Sequence, residues 1–398
     1  MTGIKRKHWS FDEDRYALNE PFYERVRQWY HGAVDLSPHL FKDFNFPPYK
    51  EFYSLGGVSE QLDQLREDVQ FIENKDSKYL IDGNIPTINM GKQPVIGVIY
   101  GPTGSGKSHL IRAIISCNML HPIPETVFFI TPEKNMIPPI EQTSWNLQLM
   151  ESNYECNEDG TITPKTSTFK PSFYELSYDE ATQPKNLNID DPENIYVEAS
   201  KNGPIAIVMD ECMDRLCSGS SVSVLFHALP SKLFARNAAC TAFYIFVVLH
   251  NMAPRTTIGN VPTLKVNAKM HIVSCHIPQF QFSRFLFSFA HNISKDIMVL
   301  LKSYFAFLQQ TQKYSWIMYT PDPISESFRW ASIDTNYNII PLNINIQEKF
   351  LKSANIIIKF CEKNKRHFIY NTKMITIEKP DSSTGQHEQE DENLKRST

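Results

Sequence analysis

The sequence lacks any hydrophobic run long enough to span a membrane. The longest run, Thr241–Leu249, is far shorter than the roughly 20 residues that a transmembrane helix requires. The amino terminus, MTGIKRKHWS, contains no apolar stretch of the kind found in a secretory signal peptide. We therefore expect a protein without membrane segments that stays in a reducing compartment, the cytosol or the nucleus.

The pattern of cysteines and the charge balance exclude further classes of protein. The seven cysteines are odd in number and irregularly spaced, and no C-x₂-C pair is present. This argues against a disulfide framework and against a zinc site built from paired cysteines. No G-x-S-x-G sequence occurs, which argues against a serine hydrolase. The net charge of −4 does not indicate a generally basic nucleic-acid binder, although a local basic patch would escape this measure.

Short apolar runs, each followed by polar or turn residues, dominate the middle of the 398-residue chain. Most are uninterrupted rather than alternating, as expected of strands buried on both faces of a parallel sheet. Helical segments such as Ser108–Met119 lie between them, and this alternation predicts an α/β fold. The five runs are Val95–Tyr100, Val127–Ile130, Ile205–Met209, Phe243–Leu249 and His271–Ser274.

Composition divides the chain into four predicted stretches. Residues 1–90 form an arm that is polar and rich in aromatic residues, with an amphipathic helix at Ser59–Ile72. Residues 91–275 form the α/β core, interrupted at about 139–202 by a polar insertion on the sheet edge. Residues 276–378 are mainly helical, with predicted helices at Ser294–Gln310, capped by Ser294, and Gln347–Lys363. Residues 379–398 form an acidic tail that we predict to be disordered.

A phosphate-binding loop follows the first apolar run. Its sequence, Gly101-Pro102-Thr103-Gly104-Ser105-Gly106-Lys107-Ser108, fits G-x-x-x-x-G-K-[ST] at every fixed position. The glycines allow successive backbone N–H groups to point at phosphate oxygens, and the helix N-terminus that follows favours anions. In such loops the lysine neutralises the β- and γ-phosphates and the final hydroxyl binds magnesium. We therefore predict a site for ATP and Mg²⁺.

Two carboxylates follow the third apolar run. Asp210 and Glu211 come directly after Ile205–Met209. In P-loop NTPases the first acid at such a position holds magnesium, and an adjacent second acid suits a general base that polarises the attacking water. The alternative is an ordinary acidic strand terminus. This interpretation is less favoured because a complete phosphate loop precedes the pair.

The fourth apolar run also ends in polar residues, His250 and Asn251. The chain in this respect resembles the additional-strand class of P-loop ATPases, in which a polar residue at this strand end senses the γ-phosphate. Asn251 fits that role best and His250 is the alternative. The five runs match the number of core strands in that class, and the resemblance implies the strand order 5-1-4-3-2.

Basic residues supply weaker candidates for catalysis and for DNA binding. Arg255 and Arg284 are candidates for an arginine finger that stabilises phosphoryl transfer in a neighbouring subunit, and Arg255 ranks first. The cluster Lys363–His367, followed by Phe368 and Tyr370, is the first candidate for DNA contacts, and Lys5–Lys7 is the second. For each of these residues the alternative is a solvated surface charge.

Several sequence strings in the predicted core resemble those of a known family. The strings GPTGSGKSHLIRAII, PETVFFITPEKNMIPP, GPIAIVMDECM, FHALPSKL, VVLHNMAPR and KMHIVS follow one another between about residues 94 and 275. They resemble the adenoviral genome-packaging ATPase family, whose members are also known as activators of late transcription. The looser match extends to about residue 350, whereas the first ninety residues and the acidic tail diverge.

The resemblance implies an ATPase that binds viral double-stranded DNA and helps load it into the capsid. It also implies a homo-oligomer, contacts with other packaging proteins and the capsid vertex, and a location in the host nucleus and the virion. The alternative is a sequence-specific activator of late viral transcription whose ATP site is only structural. A small-molecule kinase is a third possibility, but the segment after Glu211 carries only Arg215 nearby, whereas kinases carry an arginine-rich lid.

The phosphate loop generates the first testable prediction. Lys107→Ala is expected to abolish ATP binding or to weaken it severely, because a charge-assisted phosphate contact contributes roughly a few kcal/mol. Calorimetric titration with ATP measures the effect. Wild-type affinity in the variant would contradict the assignment of the loop.

Overall fold

A nine-stranded β-sheet forms the centre of the structure, which is a computed structural model. It describes residues 12–85, 93–116, 119–151, 154–156, 162–164, 172–212, 215–216, 223–250 and 267–368, with side chains described outside 146–164. The strands are β1 Val95–Tyr100, β2 Thr126–Thr131, β3 Tyr154–Cys156, β4 Ile162–Pro164, β5 Ser172–Ser177, β6 Ile205–Met209, β7 Phe243–Leu249, β8 Met270–Ser274, β9 Trp316–Tyr319, β10 Trp330–Ile333 and β11 Ile339–Pro341.

Helices cover both faces of the sheet. They are α1 Glu13–Leu36, α2 Tyr49–Ser54, α3 Glu60–Asp76, α4 Lys107–Ser116, α5 Pro139–Glu151, α6 Tyr178–Ala181, α7 Pro184–Leu187, α8 Ile195–Ser200, α9 Leu229–Arg236, α10 Gln279–Phe289, α11 Lys295–Thr311 and α12 Ile344–Lys363, with 3₁₀ turns at Ser77–Tyr79 and Glu326–Phe328 and a π-helical turn at Val224–Ala228. Within the described part of the chain, none of these helices combines the length and apolar character needed to cross a bilayer.

The five predicted strands are confirmed and form the centre of the sheet. They lie in the order β8-β1-β7-β6-β2, all parallel, which is the predicted order 5-1-4-3-2. Every residue of these five strands is buried. This burial on both faces explains why the runs are continuously apolar rather than alternating.

The register brings the ends of the central strands together. Tyr100, the last residue of β1, pairs with Leu249 at the end of β7 and with Val273 near the end of β8. Met209, at the end of β6, pairs with Val247. The polar residues that follow β1, β6 and β7 therefore emerge at one edge of the sheet, where ligands bind in open α/β sheets.

The sheet extends beyond the predicted core on both sides. β5, from the insertion, pairs parallel to β2, and β9, β10 and β11 continue the sheet from β8 as antiparallel strands. The helical prediction for the region after residue 275 omitted these last three strands. They contain only three or four residues each, which is too short for hydrophobic periodicity to distinguish strand from helix.

The predicted helices outside the core are confirmed, with small differences at their ends. Ser59 caps α3 by accepting a hydrogen bond from Leu62 N at 3.2 Å. Ser294 caps α11 in the same way, through Ile297 N at 3.4 Å. The amphipathic stripe predicted for Gln347–Lys363 lies on α12, which begins three residues earlier, at Ile344.

The amino-terminal region is more helical than its weak pattern indicates. α1 and α2 surround an aromatic cluster in which the rings of Tyr23 and Phe52 lie 5.0 Å apart. Phe52 also packs edge-on against Phe360 of α12 at 5.2 Å. Side chains from all three stretches, including Phe22, Ile96 and Phe350, share one hydrophobic cluster. The division of the chain at about residues 90 and 275 stays a prediction, and the predicted acidic tail lies outside the described residues.

Candidate nucleotide-binding site

The loop after β1 is tightly curled and anchored at its start. Gly101 N–H donates to the carbonyl of Leu249 at 3.0 Å, which ties the loop to the end of β7. A Cβ at Gly101 would lie 2.5 Å from Ser105 Oγ and 3.0 Å from Ser274 Cβ. Only glycine therefore fits where the loop folds back on itself. Residues 101–106 form the curl, and Lys107 and Ser108 begin α4.

Lys107 lies inside the curl. Its ammonium donates to the carbonyl of Pro102 at 2.9 Å, and the residue is 8% exposed. Burial lowers the pKa of Lys107, and the nearby carboxylates of Asp210 and Glu211 partly offset this effect. The three charges that the sequence predicts to act together are therefore close enough to influence one another. A buried cation beside free helix N–H groups forms an environment that favours a polyanion.

Asp210 continues the line of β6. Its N–H donates to the carbonyl of Ile130 at 2.9 Å, and its Oδ1 accepts from Glu211 N at 3.0 Å. Burial raises the pKa of Asp210, the adjacent Glu211 carboxylate raises it further, and Lys107 lowers it. The Asp210 carboxylate is thus held in an unfavourable environment that a bound cation would relieve.

Glu211 adopts an unusual backbone conformation and has one close partner. Its φ of 56° lies in the left-handed region, where a non-glycine residue is uncommon and often signals a functional constraint. The side chain is half exposed, and its Oε1 lies 2.8 Å from Nε2 of His250. The second carboxylate therefore contacts the residue that directly follows β7.

Of the two polar residues that follow β7, only the first lies within the described residues. His250, the sequence-based alternative, contacts Glu211. Asn251, the preferred sensor, lies outside the described residues, as does Arg255, the preferred arginine finger. Both assignments stay predictions. Arg284 lies exposed on α10, with its guanidinium 5.5 Å from the centre of the Phe280 ring.

The donor atoms suit a magnesium-bound polyphosphate. The Ser108 hydroxyl and the Asp210 carboxylate are oxygen ligands of the kind that Mg²⁺ prefers. Ser105 Oγ is buried without a hydrogen-bond partner among the described residues. The loop folds back at Gly101 so closely that a Cβ there would lie 2.5 Å from Ser105 Oγ. The residues present therefore fit the predicted ligand.

Sequence reasoning missed one part of this region. Tyr314, Trp316 and Tyr337 lie beside Gly106 and His109, around a cavity next to the phosphate loop. No motif marks these aromatic residues, because they come from β9 and from the segments before β9 and between β10 and β11. The sequence signal for this cavity was the presence of aromatic residues after the last predicted core strand.

The fold and the loop together define a class of protein. A phosphate loop after the first strand of a 5-1-4-3-2 parallel sheet, with an acidic pair at the end of the third, is the architecture of a P-loop NTPase of the additional-strand class. The chain belongs to the family described as Adenovirus IVa2 protein, which it matches over residues 11–375.

Similar proteins come from adenoviruses of several hosts. The chain is 71% identical over 375 residues to Packaging protein 1 of Fowl adenovirus A serotype 1 (strain CELO / Phelps), covering 94% of this chain and 85% of that protein. It is 40% identical over 342 residues to Packaging protein 1 of Snake adenovirus serotype 1, covering 84% and 76%. A solved structure of the genome packaging NTPase B204 from Sulfolobus turreted icosahedral virus 2, in complex with AMPPCP, is 11% identical, covers 58% of this chain and 94% of its own, and has a TM-score of 0.32.

The environment of Asp210 generates a prediction about stability. Without divalent metal, Asp210→Asn is expected to raise the free energy of unfolding at neutral pH, because the amide avoids the burial of a carboxylate beside Glu211. A carboxyl group whose folded-state pKa is raised destabilises the fold when ionised, and this effect disappears below its unfolded pKa, at about pH 4. The advantage of the variant should therefore shrink as the pH falls. Denaturant unfolding across a pH series measures it.

The control for this experiment is Asp179→Asn, because the Asp179 side chain is 74% exposed. It should change stability little at any pH. An Asp210→Asn variant that is less stable than the wild type at neutral pH would contradict the electrostatic account of this position.

Proposed function

We propose that this protein binds Mg²⁺-ATP, hydrolyses it, and uses it in loading viral double-stranded DNA into a capsid. The observation that carries the proposal is the meeting of Lys107, Asp210 and Glu211 at one edge of the sheet, where each influences the pKa of another. The name Packaging protein 1, given to relatives that include one 71% identical to this chain, supports the packaging part. Such a role would take the protein to the host nucleus and the virion.

The proposed chemistry assigns a role to each group. Lys107 and the backbone N–H groups of the loop bind the β- and γ-phosphates, and Ser108 and Asp210 hold magnesium. When bound, magnesium neutralises charge on the phosphate oxygens. Glu211 accepts a proton from a water whose oxygen attacks the γ-phosphorus, while the bond to the β-phosphate oxygen breaks to leave ADP and phosphate. His250, 2.8 Å from Glu211 Oε1, orients the base, and Asn251 contacts the γ-phosphate.

Replacing the proposed base separates binding from hydrolysis. Glu211→Gln is expected to retain ATP affinity and to lower turnover by roughly a hundredfold or more, since general bases contribute about 10²–10⁴ to rates. Calorimetry measures binding and phosphate release measures turnover. Glu193→Gln is the control, because that side chain is 73% exposed. Normal turnover in Glu211→Gln would show that the base has been wrongly assigned.

A basic cluster at the end of α12 is the proposed DNA surface. Lys363, Lys365 and Arg366 are exposed, and within the described chain no ion pair includes them. Exposed cations with no carboxylate partner are available to phosphates. Lys363 lies in the last turn of α12, and Lys365 and Arg366 lie in the helical turn that follows it. Cations near a helix C-terminus also suit the helix dipole, which would explain them without DNA. The second candidate, Lys5–Lys7, lies outside the described residues.

The salt dependence of DNA binding distinguishes these two explanations. Replacing Lys363, Lys365 and Arg366 with alanine should make the log–log slope of affinity against salt shallower by roughly two to three, because each phosphate contact contributes about 0.9. A gel-shift salt series measures the slope. The control removes three other cations, Lys185, Lys201 and Lys232. An unchanged slope in the first variant would contradict this DNA surface and make Lys5–Lys7 the next candidate.

We further propose that the active form is a homo-oligomer in which an arginine from one subunit completes its neighbour's site, in contact with other packaging proteins and the capsid vertex. Arg255 remains the first candidate and Arg284, exposed on α10, the second. The alternative function is a sequence-specific activator of late transcription with a structural ATP site. Turnover that double-stranded DNA stimulates favours the packaging function, and turnover indifferent to DNA favours the alternative.

A further inference from the structure

An aromatic cavity of about 380 Å³ adjoins the phosphate loop. Gly106 and His109 form its side towards α4, Tyr314 and Trp316 form a second side, and Thr335 and Tyr337 complete it. This volume lies within the range of pockets that hold small ligands, about 300–1,000 Å³. The proposed roles of the phosphate loop and the acidic pair leave this cavity without a function.

Direct packing joins the cavity to the phosphate loop. Gly106 has a φ of 86°, and a Cβ at this position would lie 3.6 Å from Tyr314 Cδ1 and 4.0 Å from Trp316 Cζ2. Trp316 is buried at the start of β9, so it forms a fixed floor. Tyr314 is 56% exposed, and its ring lies 5.0 Å from that of His276. An aromatic face is therefore available beside the backbone that would hold phosphates.

Another part of the lining is a wall formed by a pair of stacked rings. His109, in the first turn of α4, lies 5.6 Å from Tyr337 with an angle of 22° between the ring planes. The Tyr337 hydroxyl also hydrogen-bonds to His109 Nδ1. Burial, with a smaller effect from Arg112, lowers the pKa of His109, so the imidazole is neutral at physiological pH. This wall presents a flat and uncharged surface.

The strand order fixes how a nucleotide would lie. β6, which carries Asp210 and Glu211, is two strands from β1 on one side, and β9, which carries Trp316, is two strands from β1 on the other. The phosphate loop follows β1, between them. A nucleotide with its terminal phosphate towards the acidic pair would therefore direct its other end towards the aromatic cavity.

We propose that this cavity binds the base of the nucleotide, by stacking against Tyr314 and the His109–Tyr337 wall. This inference rests on the proposed nucleotide-binding function and extends it to the nucleobase. Stacking on aromatic side chains accepts every base, because each has a π face. Among the described residues that line the cavity, none carries a carboxylate, a carboxamide, an ammonium or a guanidinium group that would select one base. We therefore expect little discrimination between ATP and GTP.

The test compares a ligand that has a base with one that lacks it. Calorimetry on the full chain with Mg²⁺ measures the affinities for ATP and for inorganic tripolyphosphate. Tyr314→Ala should weaken ATP binding by about tenfold, since stacking contributes roughly 1–3 kcal/mol per base, and should leave tripolyphosphate binding unchanged. Tyr314→Phe should keep wild-type affinity for both.

Tyr174→Ala is the matched control. Tyr174 is 49% exposed and stacks on Phe128 at 5.4 Å. However, it lies on β5, the outermost strand on the side of the sheet away from β9. The Tyr174→Ala variant should bind ATP and tripolyphosphate with wild-type affinity. Wild-type ATP affinity in Tyr314→Ala, or an equal loss of both ligands, would overturn the proposal. Lys107→Ala reports separately on the phosphate site, because it should weaken both ligands.

Photocrosslinking supplies an independent measurement. An ATP analogue with an azide on the base should label peptides that contain Tyr314 or Tyr337 in the wild-type protein, and excess ATP should prevent the labelling. Labelling confined to other peptides would overturn the base site. The phosphate loop would still be tested by its own variants.

Discussion

The parallel pairing of β1 with β7 is the constraint on which the site depends. The pairing places Tyr100 opposite Leu249, and the hydrogen bond from Gly101 N–H to Leu249 O continues it by one step into the loop. Because β6 pairs with β7 on its other side, the same register brings the residues after β6 to the same edge. Strand pairing therefore brings together residues that are distant along the chain.

The buried charges at this end of the sheet offset one another only in part. Lys107 is buried and its pKa is lowered, while Asp210 is buried and its pKa is raised. Each charge is partly compensated by the other. Glu211 raises the pKa of both groups, so it favours the charged form of Lys107 and disfavours that of Asp210. Such an arrangement costs folding stability, because desolvated charges are unfavourable unless fully paired. The polyphosphate and the divalent cation of the proposed function would supply the missing partners.

The antiparallel extension of the sheet has a second effect. β9 packs beside β8 and so brings Trp316 and the preceding Tyr314 against Gly106. The turn between β10 and β11 adds Tyr337 against His109. The short strands that hydrophobic patterning could not identify are thus the elements that enclose the space next to the phosphate loop. On the other face of the sheet, α1, α3 and α12 share a core with β1 and leave the basic end of α12 exposed.

Features that arise within short segments could be predicted from the sequence. Five buried strands followed from five uninterrupted apolar runs, helix starts followed from Ser59 and Ser294, and the phosphate loop followed from its spacing. Which distant side chains meet depends on how the strands and helices pack together. Glu211 could be assigned to a strand end, but its contact with His250 depends on a left-handed turn and on the β6–β7 register. The aromatic cavity likewise exists because strand pairing, a non-local interaction, brings together residues that share no pattern along the chain.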